Sequence, residues 1–427
     1  MSSSPPSRRA EKRAPYRLIH EDLMTAPLFD PGVRAVSDLV CLSHLRWSWV
    51  YQRPQHLMKR AARDRRVFVF EEPVTDAARP WMDITTPAPN VTVATPHLPD
   101  GLSTTERQMV QRELLDSWLG REGVRRFTLW YYTPMALPFT SHLEPEGIIY
   151  DCMDELSAFA GAPPELVGLE RQLFSRADIV FTGGHSLYES KRRHHPQVHA
   201  VPSSVDFDHF AQARQLDDPE DQASLPRPRL GYCGVIDERL DLGLIDAIAT
   251  ARPDWQLVFV GPVTKVDPAR LPRQANIHYL GGRSYDQLPR YLSGWDVALL
   301  PFAHNDSTKF ISPTKTPEYL AAGRRVVSTS VRDVVRTFGN GEFIEVADDP
   351  RDFIAAIERC LTEDDPTRQQ RVDRFLALQS WDRTWARMQA LMSRALQSGA
   401  AHAPMRPAQH GLPKPAVGSG AARVPAP

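Results

Sequence analysis

Four side chains within five residues have the types and spacing to bind a nucleotide: Thr314, Lys315, Thr316 and Glu318. A lysine ammonium attracts phosphate as a point charge, and threonine hydroxyls donate hydrogen bonds to it. A glutamate carboxylate only accepts hydrogen bonds, so it suits a sugar diol such as ribose. Diphosphate and ribose together indicate a nucleotide. The alternative is an ordinary capped helix that happens to carry a lysine.

The element that must position these side chains is a short helix between two apolar strands, within Leu299–Ser330. Thr316 is typical of a helix N-cap, Pro317 of the first helical position and Gly323 of the residue that ends a helix. Free backbone N–H groups and the positive end of the helix dipole would then face a phosphate.

Composition and charge narrow the class of protein. The chain has 427 residues, 42% hydrophobic and 24% charged, which predicts two globular domains plus some disordered chain. Lys and Arg total 51 against 52 for Asp and Glu, so no basic excess indicates a nucleic-acid partner. We find no apolar run of membrane-spanning length and no signal peptide, and we expect a cytoplasmic enzyme. Peripheral contact with the inner face of the membrane, through basic residues such as Lys191–Arg193, stays open.

Short apolar runs alternate with helical patterns along the chain, which is typical of parallel sheets with crossover helices. We therefore predict an α/β fold of two doubly wound, Rossmann-like domains that face a central cleft. The predicted segments are a disordered tail (1–35), a first domain (36–205), a linker (206–227), a second domain (228–380), a C-terminal helix (381–398) and a disordered Pro/Ala-rich tail (399–427). The apolar face of Arg371–Leu396 either covers the core of the second domain or crosses back to the first.

Four sequence runs resemble a known family. Residues 312–329, SPTKTPEYLAAGRRVVST, resemble the donor-binding motif of GT-B glycosyltransferases, in the retaining GT4-like group of sucrose and glycogen synthase relatives. Ser43–Leu57 and Gly234–Asp246 resemble a bacterial subgroup for cell-surface polysaccharides, similar to enzymes of teichuronic acid synthesis. Val201–Phe210 is similar to the interdomain linker of the family. The runs occur in the family's order and cover most of residues 36–398.

The resemblance implies a donor site in the second domain. Its nucleotide-binding residues would be Thr314, Lys315, Thr316, Glu318, Arg239 and Asp241. Glu318 would bind the ribose, and Arg239 would be the basic phosphate ligand of the loop after a strand, with Asp241 orienting it. Two departures stand out: Phe310 replaces the glutamate that usually contacts the donor sugar, and the usual lysine after Arg239 is missing.

Polar residues after the strands of the first domain would face the transferred sugar or the acceptor. The candidates are His44, Arg46, Gln52, Arg53, Asp151, Asp154 and Ser186. A catalytic role and a purely structural role are both open for His44. Asp154 suits a helix-capping role equally well.

The resemblance implies a metal-independent, retaining glycosyltransferase. It would move a sugar from a nucleoside diphosphate sugar to a cell-surface glycan or lipid-linked acceptor, with no cofactor. Arg239, Lys315 and His44 are the candidate catalytic residues. Arg239 and Lys315 would neutralise the negative charge of the departing diphosphate. The alternatives are a nucleotide-sugar epimerase on the same scaffold and a non-catalytic nucleotide-sugar-binding homologue.

We interpret two patterns that are typical of metal sites as structural features that bind no metal. Asp206–Asp208 spells DxD but falls in the linker match, and His194, His195 and His199 have no acidic or cysteine partner at ligand spacing. The four cysteines are far apart, and we expect buried thiols rather than disulfides or zinc ligands.

Overall fold

A computed structural model describes residues 36–339 and 341–402, with side chains described as far as residue 397. The predicted tail 1–35 and residues 403–427 of the second predicted tail lie outside the described residues. No helix in the described part of the chain is long and apolar enough to cross a membrane.

Strands and helices alternate as predicted, and the strands form two sheets. The strands are β1 (Asp38–Ser43), β2 (Val67–Glu71), β3 (Val74–Thr75), β4 (Trp81–Ala88), β5 (Val91–Leu98), β6 (Phe127–Tyr131), β7 (Gly147–Cys152), β8 (Ile179–Thr182), β9 (Val198–Ala200), β10 (Arg229–Cys233), β11 (Gln256–Val260), β12 (Ile277–Gly281), β13 (Val297–Leu300), β14 (Arg325–Ser328) and β15 (Glu345–Val346).

The helices lie between these strands and at the end of the described chain. They are α1 (Arg53–Ala61), α2 (Thr104–Arg121), α3 (Leu137–Thr140), α4 (Leu166–Arg176), α5 (His185–Lys191), α6 (Phe207–Ala211), α7 (Glu220–Ala223), α8 (Leu242–Ala251), α9 (Leu288–Ser293), α10 (Lys315–Ala321), α11 (Arg332–Phe338), α12 (Pro350–Thr362), α13 (Arg368–Leu376) and α14 (Trp381–His402).

Both sheets are doubly wound. The first has the order β3-β5-β2-β1-β6-β7-β8-β9, and the second has the order β12-β11-β10-β13-β14-β15. Every pairing between neighbours along these two paths is parallel, for example Leu42 with Phe70 and Leu230 with Leu257. In each sheet the order reverses beside the first strand of that half, where open α/β folds form a ligand crevice. The predicted α/β class is confirmed.

The central strands are apolar because helices cover both faces of each sheet. Successive residues of β1 point to opposite faces: Val40 and Leu42 join one buried cluster, and Leu39 and Cys41 join another. One further cluster fills the second domain. All four cysteines are buried free thiols.

Strand β4 is the main element that the apolar pattern did not predict. It pairs antiparallel with β5, and most of its residues are exposed. An exposed edge strand needs no apolar run, so its sequence, WMDITTPA, carries little strand signal.

The C-terminal helix crosses back to the first domain. Trp381, Trp385 and Met388 of α14 pack in the cluster that contains Leu39 and Cys41. The expectation of one apolar face along Arg371–Leu396 is wrong, because α13 packs on the second domain and α14 on the first. Leu378, between the two helices, is 65% exposed. Helix α14 also continues past its predicted end at residue 398, to His402.

Candidate donor and acceptor site

The predicted residues that meet between the two sheets lie in the segments that follow strands. His44 follows β1, Asp154 follows β7, and Arg239 lies in the loop after β10. Lys315 begins α10, the helix between β13 and β14. The carboxyl ends of these parallel strands therefore bring residues more than 70 positions apart into one site.

Lys315 reaches into the site across the backbone of Gly234. Gly234 has φ +143°, and a Cβ atom there would collide with Cε of Lys315. The Nζ atom of Lys315 lies 5.9 Å from the centre of the Tyr232 ring. Glycine at 234 is thus required both by the backbone conformation and by the path of the lysine.

Glu318 lies deep in the site, one helical turn after Lys315, the residue at which α10 begins. Burial raises the pKa of Glu318 to about 7, against the opposing effects of the Lys315 charge and a hydrogen bond with Thr314. Burial likewise lowers the pKa of Lys315, with Glu318 opposing and Arg239 adding to the decrease. The site therefore holds two cations and a carboxyl that titrates near neutral pH.

Arg239 is held by Asp237 rather than by Asp241. Its Nε and Nη2 atoms donate to the two carboxylate oxygens of Asp237, at 2.9, 3.1 and 2.6 Å. Asp241 instead caps α8, where it accepts from the backbone N–H of Leu244 at 2.9 Å. The interpretation that Asp241 orients Arg239 is therefore wrong, since the i, i+3 cap uses its carboxylate.

Helix α10 begins two residues earlier than its sequence signals indicate. Thr314, not Thr316, is at the N-cap position, and Pro317 is the third helical residue. Thr316 is fully buried, and its hydroxyl has no hydrogen-bond partner in the described part of the chain. Gly323, at φ +79°, follows the C-cap residue as predicted.

Asp154 faces the donor-side cations from the first domain. Burial raises the pKa of Asp154, and the charges of Arg239, Arg53 and Lys315 act in the opposite direction. Among the first-domain candidates, Asp154 is therefore brought close to the predicted diphosphate ligands across the cleft.

His44 is also in the cleft, as a neutral imidazole. Burial lowers the pKa of His44 to about 4. The charge of Lys265 lowers this pKa further, whereas a hydrogen bond with the backbone of Tyr132 raises it. Its Nδ1 atom is buried and has no hydrogen-bond partner among the described residues.

Lys265 is a cleft residue that the sequence analysis missed. It comes from the second domain, has φ +56°, and its Nζ atom lies 5.2 Å from the centre of the Phe159 ring of the first domain. A non-glycine residue at positive φ is uncommon and occurs often at functional sites. No sequence motif marks this residue.

The other first-domain candidates are engaged in contacts within the protein. Arg53 and Asp151, both buried, form a two-pronged ion pair at 2.8 and 2.9 Å. Arg46 pairs with Glu71 at 3.2 Å. The backbone N–H of Gln52 donates to Gln55 at the start of α1.

Ser186 and Phe310 lie where the two domains touch. The hydroxyl of Ser186 donates to Asp333 of the second domain at 2.6 Å. Phe310 of the second domain packs against the buried cluster of the first domain that contains Leu187. The position that usually carries a sugar-binding glutamate is thus an apolar interdomain contact in this chain.

The DxD pattern lies at the start of α6, with Phe207 as the first helical residue. Among the residues that the structure describes, no group of three or more His, Cys, Asp or Glu side chains is arranged to hold a metal ion.

Comparison with known proteins gives concordant matches. Residues 227–363 match the family described as Glycosyl transferases group 1. TuaH of Bacillus subtilis strain 168, whose name refers to a teichuronic acid biosynthesis glycosyltransferase, is 27% identical over 277 residues, which are 60% of this chain and 69% of TuaH.

Solved structures with the same fold are glycosyltransferases of the GT-B architecture. Sucrose-phosphate synthase from Thermosynechococcus elongatus superposes with a TM-score of 0.66 at 17% identity, covering 85% of this chain and 100% of that structure. The E. coli trehalose-6-phosphate protein bound with UDP-2-fluoro glucose superposes with a TM-score of 0.64 at 14% identity, covering 84% and 99%. At these identities the likeness establishes the fold, and the predicted GT-B architecture is confirmed.

Proposed function

We propose that this chain, a glycosyltransferase whose residues 227–363 form a domain of the group 1 family, transfers a sugar from a nucleoside diphosphate sugar to a cell-surface glycan or lipid-linked acceptor. The observation that supports this most directly is the enclosure of Lys315, Arg239 and Glu318 in one site. Two cations and a carboxyl acceptor match a diphosphate and a ribose. The name of the relative TuaH, from teichuronic acid biosynthesis, supports a cell-surface product.

The two cations would act on the leaving group. As the bond between the sugar and the diphosphate breaks, negative charge grows on the diphosphate oxygens. Lys315 would neutralise this charge, and Arg239 would do the same from a position fixed by Asp237. Because both cations are partly buried, their interaction with the diphosphate is stronger than it would be in water. We infer that no metal ion is required for this step.

The first domain would orient the sugar and the acceptor. Neutral His44, whose Nδ1 atom has no hydrogen-bond partner among the described residues, would exchange a hydrogen bond with the transferred sugar. Asp154 would accept from a sugar hydroxyl beside the cations. We assign a retaining outcome from the resemblance of residues 312–329 to retaining enzymes, and we assign no general base.

Nucleotide binding tests the donor site. The full chain is titrated with UDP, GDP, ADP, dTDP and CDP, with and without magnesium, in a thermal-shift experiment. We expect one nucleotide to stabilise the fold without magnesium, by about 2.7 kcal/mol at 100 times its dissociation constant. Glu318→Ala should abolish the shift, whereas Glu342→Ala, an exposed glutamate of the same domain, should retain it.

Failure of every nucleotide to stabilise the chain would contradict the donor-site assignment. A product that forms from the donor with no acceptor present would instead indicate an epimerase.

A further inference from the structure

Lys191, in the last turn of α5, is the buried member of the basic run Lys191–Arg193. It is 5% exposed, whereas Arg192 and Arg193 are exposed. A lysine is almost never fully buried unless an opposite charge pairs with it. The sequence leaves Lys191 open as a membrane contact, and its burial excludes it from such a surface.

Two carboxylates hold the ammonium group of Lys191. Its Nζ atom donates to Glu155 at 2.9 Å and to Glu170 of α4 at 2.7 Å. The side chains of these two glutamates are 13% and 11% exposed. Glu170 also accepts from the hydroxyl of Tyr150 at 2.8 Å. Loss of one partner of a buried ion pair is strongly destabilising, because an uncompensated charge is left behind.

Glu155 lies in the loop that follows β7, residues 153–161, which we call the β7 loop. One residue before it, the backbone carbonyl of Asp154 accepts from the thiol of Cys152 at 3.6 Å, a weak hydrogen bond. The ion pair between Glu155 and Lys191 is a stronger restraint, because both of its groups are charged. Lys191 therefore holds the β7 loop against α5 directly beside Asp154.

The β7 loop presents Asp154 and Phe159 to cations of the second domain. The centre of the Phe159 ring is 5.8 Å from Cζ of Arg239 and 5.2 Å from Nζ of Lys265. Both distances are within the range of cation–π attraction. The charges of Arg239 and Lys315 also act on the carboxyl of Asp154. Both side chains of the loop therefore meet the second domain at the proposed donor site.

We propose that Lys191 is a positioning residue for sugar transfer. By holding Glu155, it fixes the β7 loop so that Asp154 and Phe159 meet the sugar end of the donor. The inference rests on the proposed function, because it takes Asp154 to bind a hydroxyl of the donor sugar. In this role Lys191 touches neither the substrate nor the reacting atoms. The free nucleotide, which binds through Glu318, does not depend on Lys191.

A fluorescent label on the β7 loop tests the contact. All four native cysteines are buried, so a thiol introduced at an exposed position by Ala160→Cys is labelled selectively in the full chain. Lys191→Met should lower the fluorescence anisotropy of this label by about a third, because the loop becomes mobile. The matched control is the same label at Ala78→Cys, exposed in another loop of the first domain. Its anisotropy should not change.

The affinities of a nucleotide sugar and of its free nucleotide test the function of the contact. The probes are UDP-glucose, GDP-mannose, ADP-glucose, dTDP-glucose and CDP-glucose, each compared with its free nucleoside diphosphate by isothermal titration calorimetry. In Lys191→Met, we expect the affinity for the nucleotide sugar to fall about tenfold, the effect of losing one hydrogen bond to a charged group. The affinity for the free nucleotide should stay the same. A merely structural loss would lower both affinities equally.

Two further variants complete the set. Glu155→Gln breaks the ion pair from the side of the loop and leaves Lys191 paired with Glu170, so it should have the same two effects even if Lys191→Met does not fold. Arg193→Met removes an exposed cation two positions from Lys191 and should have neither effect. Unchanged anisotropy of the Ala160→Cys label, or an affinity for the nucleotide sugar that does not fall relative to that for the nucleotide, would overturn the proposal.

Nucleotide binding by the wild type separates this failure from failure of the proposed function. A wild type that binds no nucleotide and no nucleotide sugar refutes the proposed function, and the role of Lys191 with it. If the wild type binds both, and Lys191→Met leaves the ratio of the two affinities unchanged, only the role of Lys191 is refuted.

Discussion

Glu318 is a residue of the candidate donor site whose charge changes near physiological pH. Burial raises its pKa to about 7, while Lys315 and Thr314 hold the increase back. Before a nucleotide binds, the carboxyl is therefore about half ionised at pH 7. A ribose diol donates hydrogen bonds, so it binds the ionised form better than the protonated form.

Nucleotide affinity should consequently rise with pH. Between pH 6 and pH 8 the ionised fraction of Glu318 increases about tenfold, so the affinity should increase by up to about tenfold. Isothermal titration calorimetry on the wild type and on Glu318→Gln measures this, and the variant corrects for titration of the nucleotide itself. An affinity ratio between the two proteins that stays constant from pH 6 to pH 8 would show that Glu318 does not bind in its ionised form.

At the scale of elements, the loop after β10 and the start of α10 form one unit. The backbone of Gly234 lies close to the side chain of Lys315. Gly261, at φ +155°, allows the backbone after β11 to approach Gly234. Two glycines thus pack the strand ends tightly enough for the lysine to cross them.

Gly234→Ala should act through Lys315. The added methyl group would displace the lysine and strain the backbone at φ +143°, so we expect sugar transfer to fall by at least the factor of Lys315→Ala. Lys315→Ala should have little further effect in the Gly234→Ala background, because the lysine is already displaced there. The rates of sugar transfer by the wild type, the two single variants and the double variant are compared in a double-mutant cycle. Additive losses in the double variant would contradict the contact, and circular dichroism would show whether each variant remains folded.

At the scale of the whole molecule, the chain returns to its first domain through α14. Trp381 and Trp385 pack in the first-domain cluster, and Asp382 pairs with Arg60 at 3.0 Å. The last described helix is therefore part of the fold of the first domain, although the second domain precedes it in the sequence.

Trp385→Ala should destabilise the first domain. The side chain is 5% exposed, and removal of a buried tryptophan side chain costs about 3 to 5 kcal/mol. Leu378→Ala is the matched control, because Leu378 is 65% exposed and its removal should change stability by less than about 0.5 kcal/mol. Urea unfolding followed by tryptophan fluorescence measures both. Equal stability of the two variants would show that α14 does not brace the first domain.

The sequence by itself determined the class of fold and where along the chain the candidate donor residues lie. Runs such as Val67–Glu71 and Val297–Leu300 are strands because their apolar pattern is local. The candidate donor residues Lys315 and Glu318 are three positions apart, so one helix places both, and the resemblance of residues 312–329 predicts them.

Only the tertiary structure decided which distant groups meet. Asp154 faces Arg239 across the cleft, Lys265 acts on His44, and α14 packs on the first sheet. The tertiary structure also decided that Asp237, and not Asp241, is the partner of Arg239. The sequence could not decide this, since both aspartates lie two residues from Arg239. A local pattern contains no information on contacts that form when two domains close on each other, because their geometry depends on the packing of the whole chain.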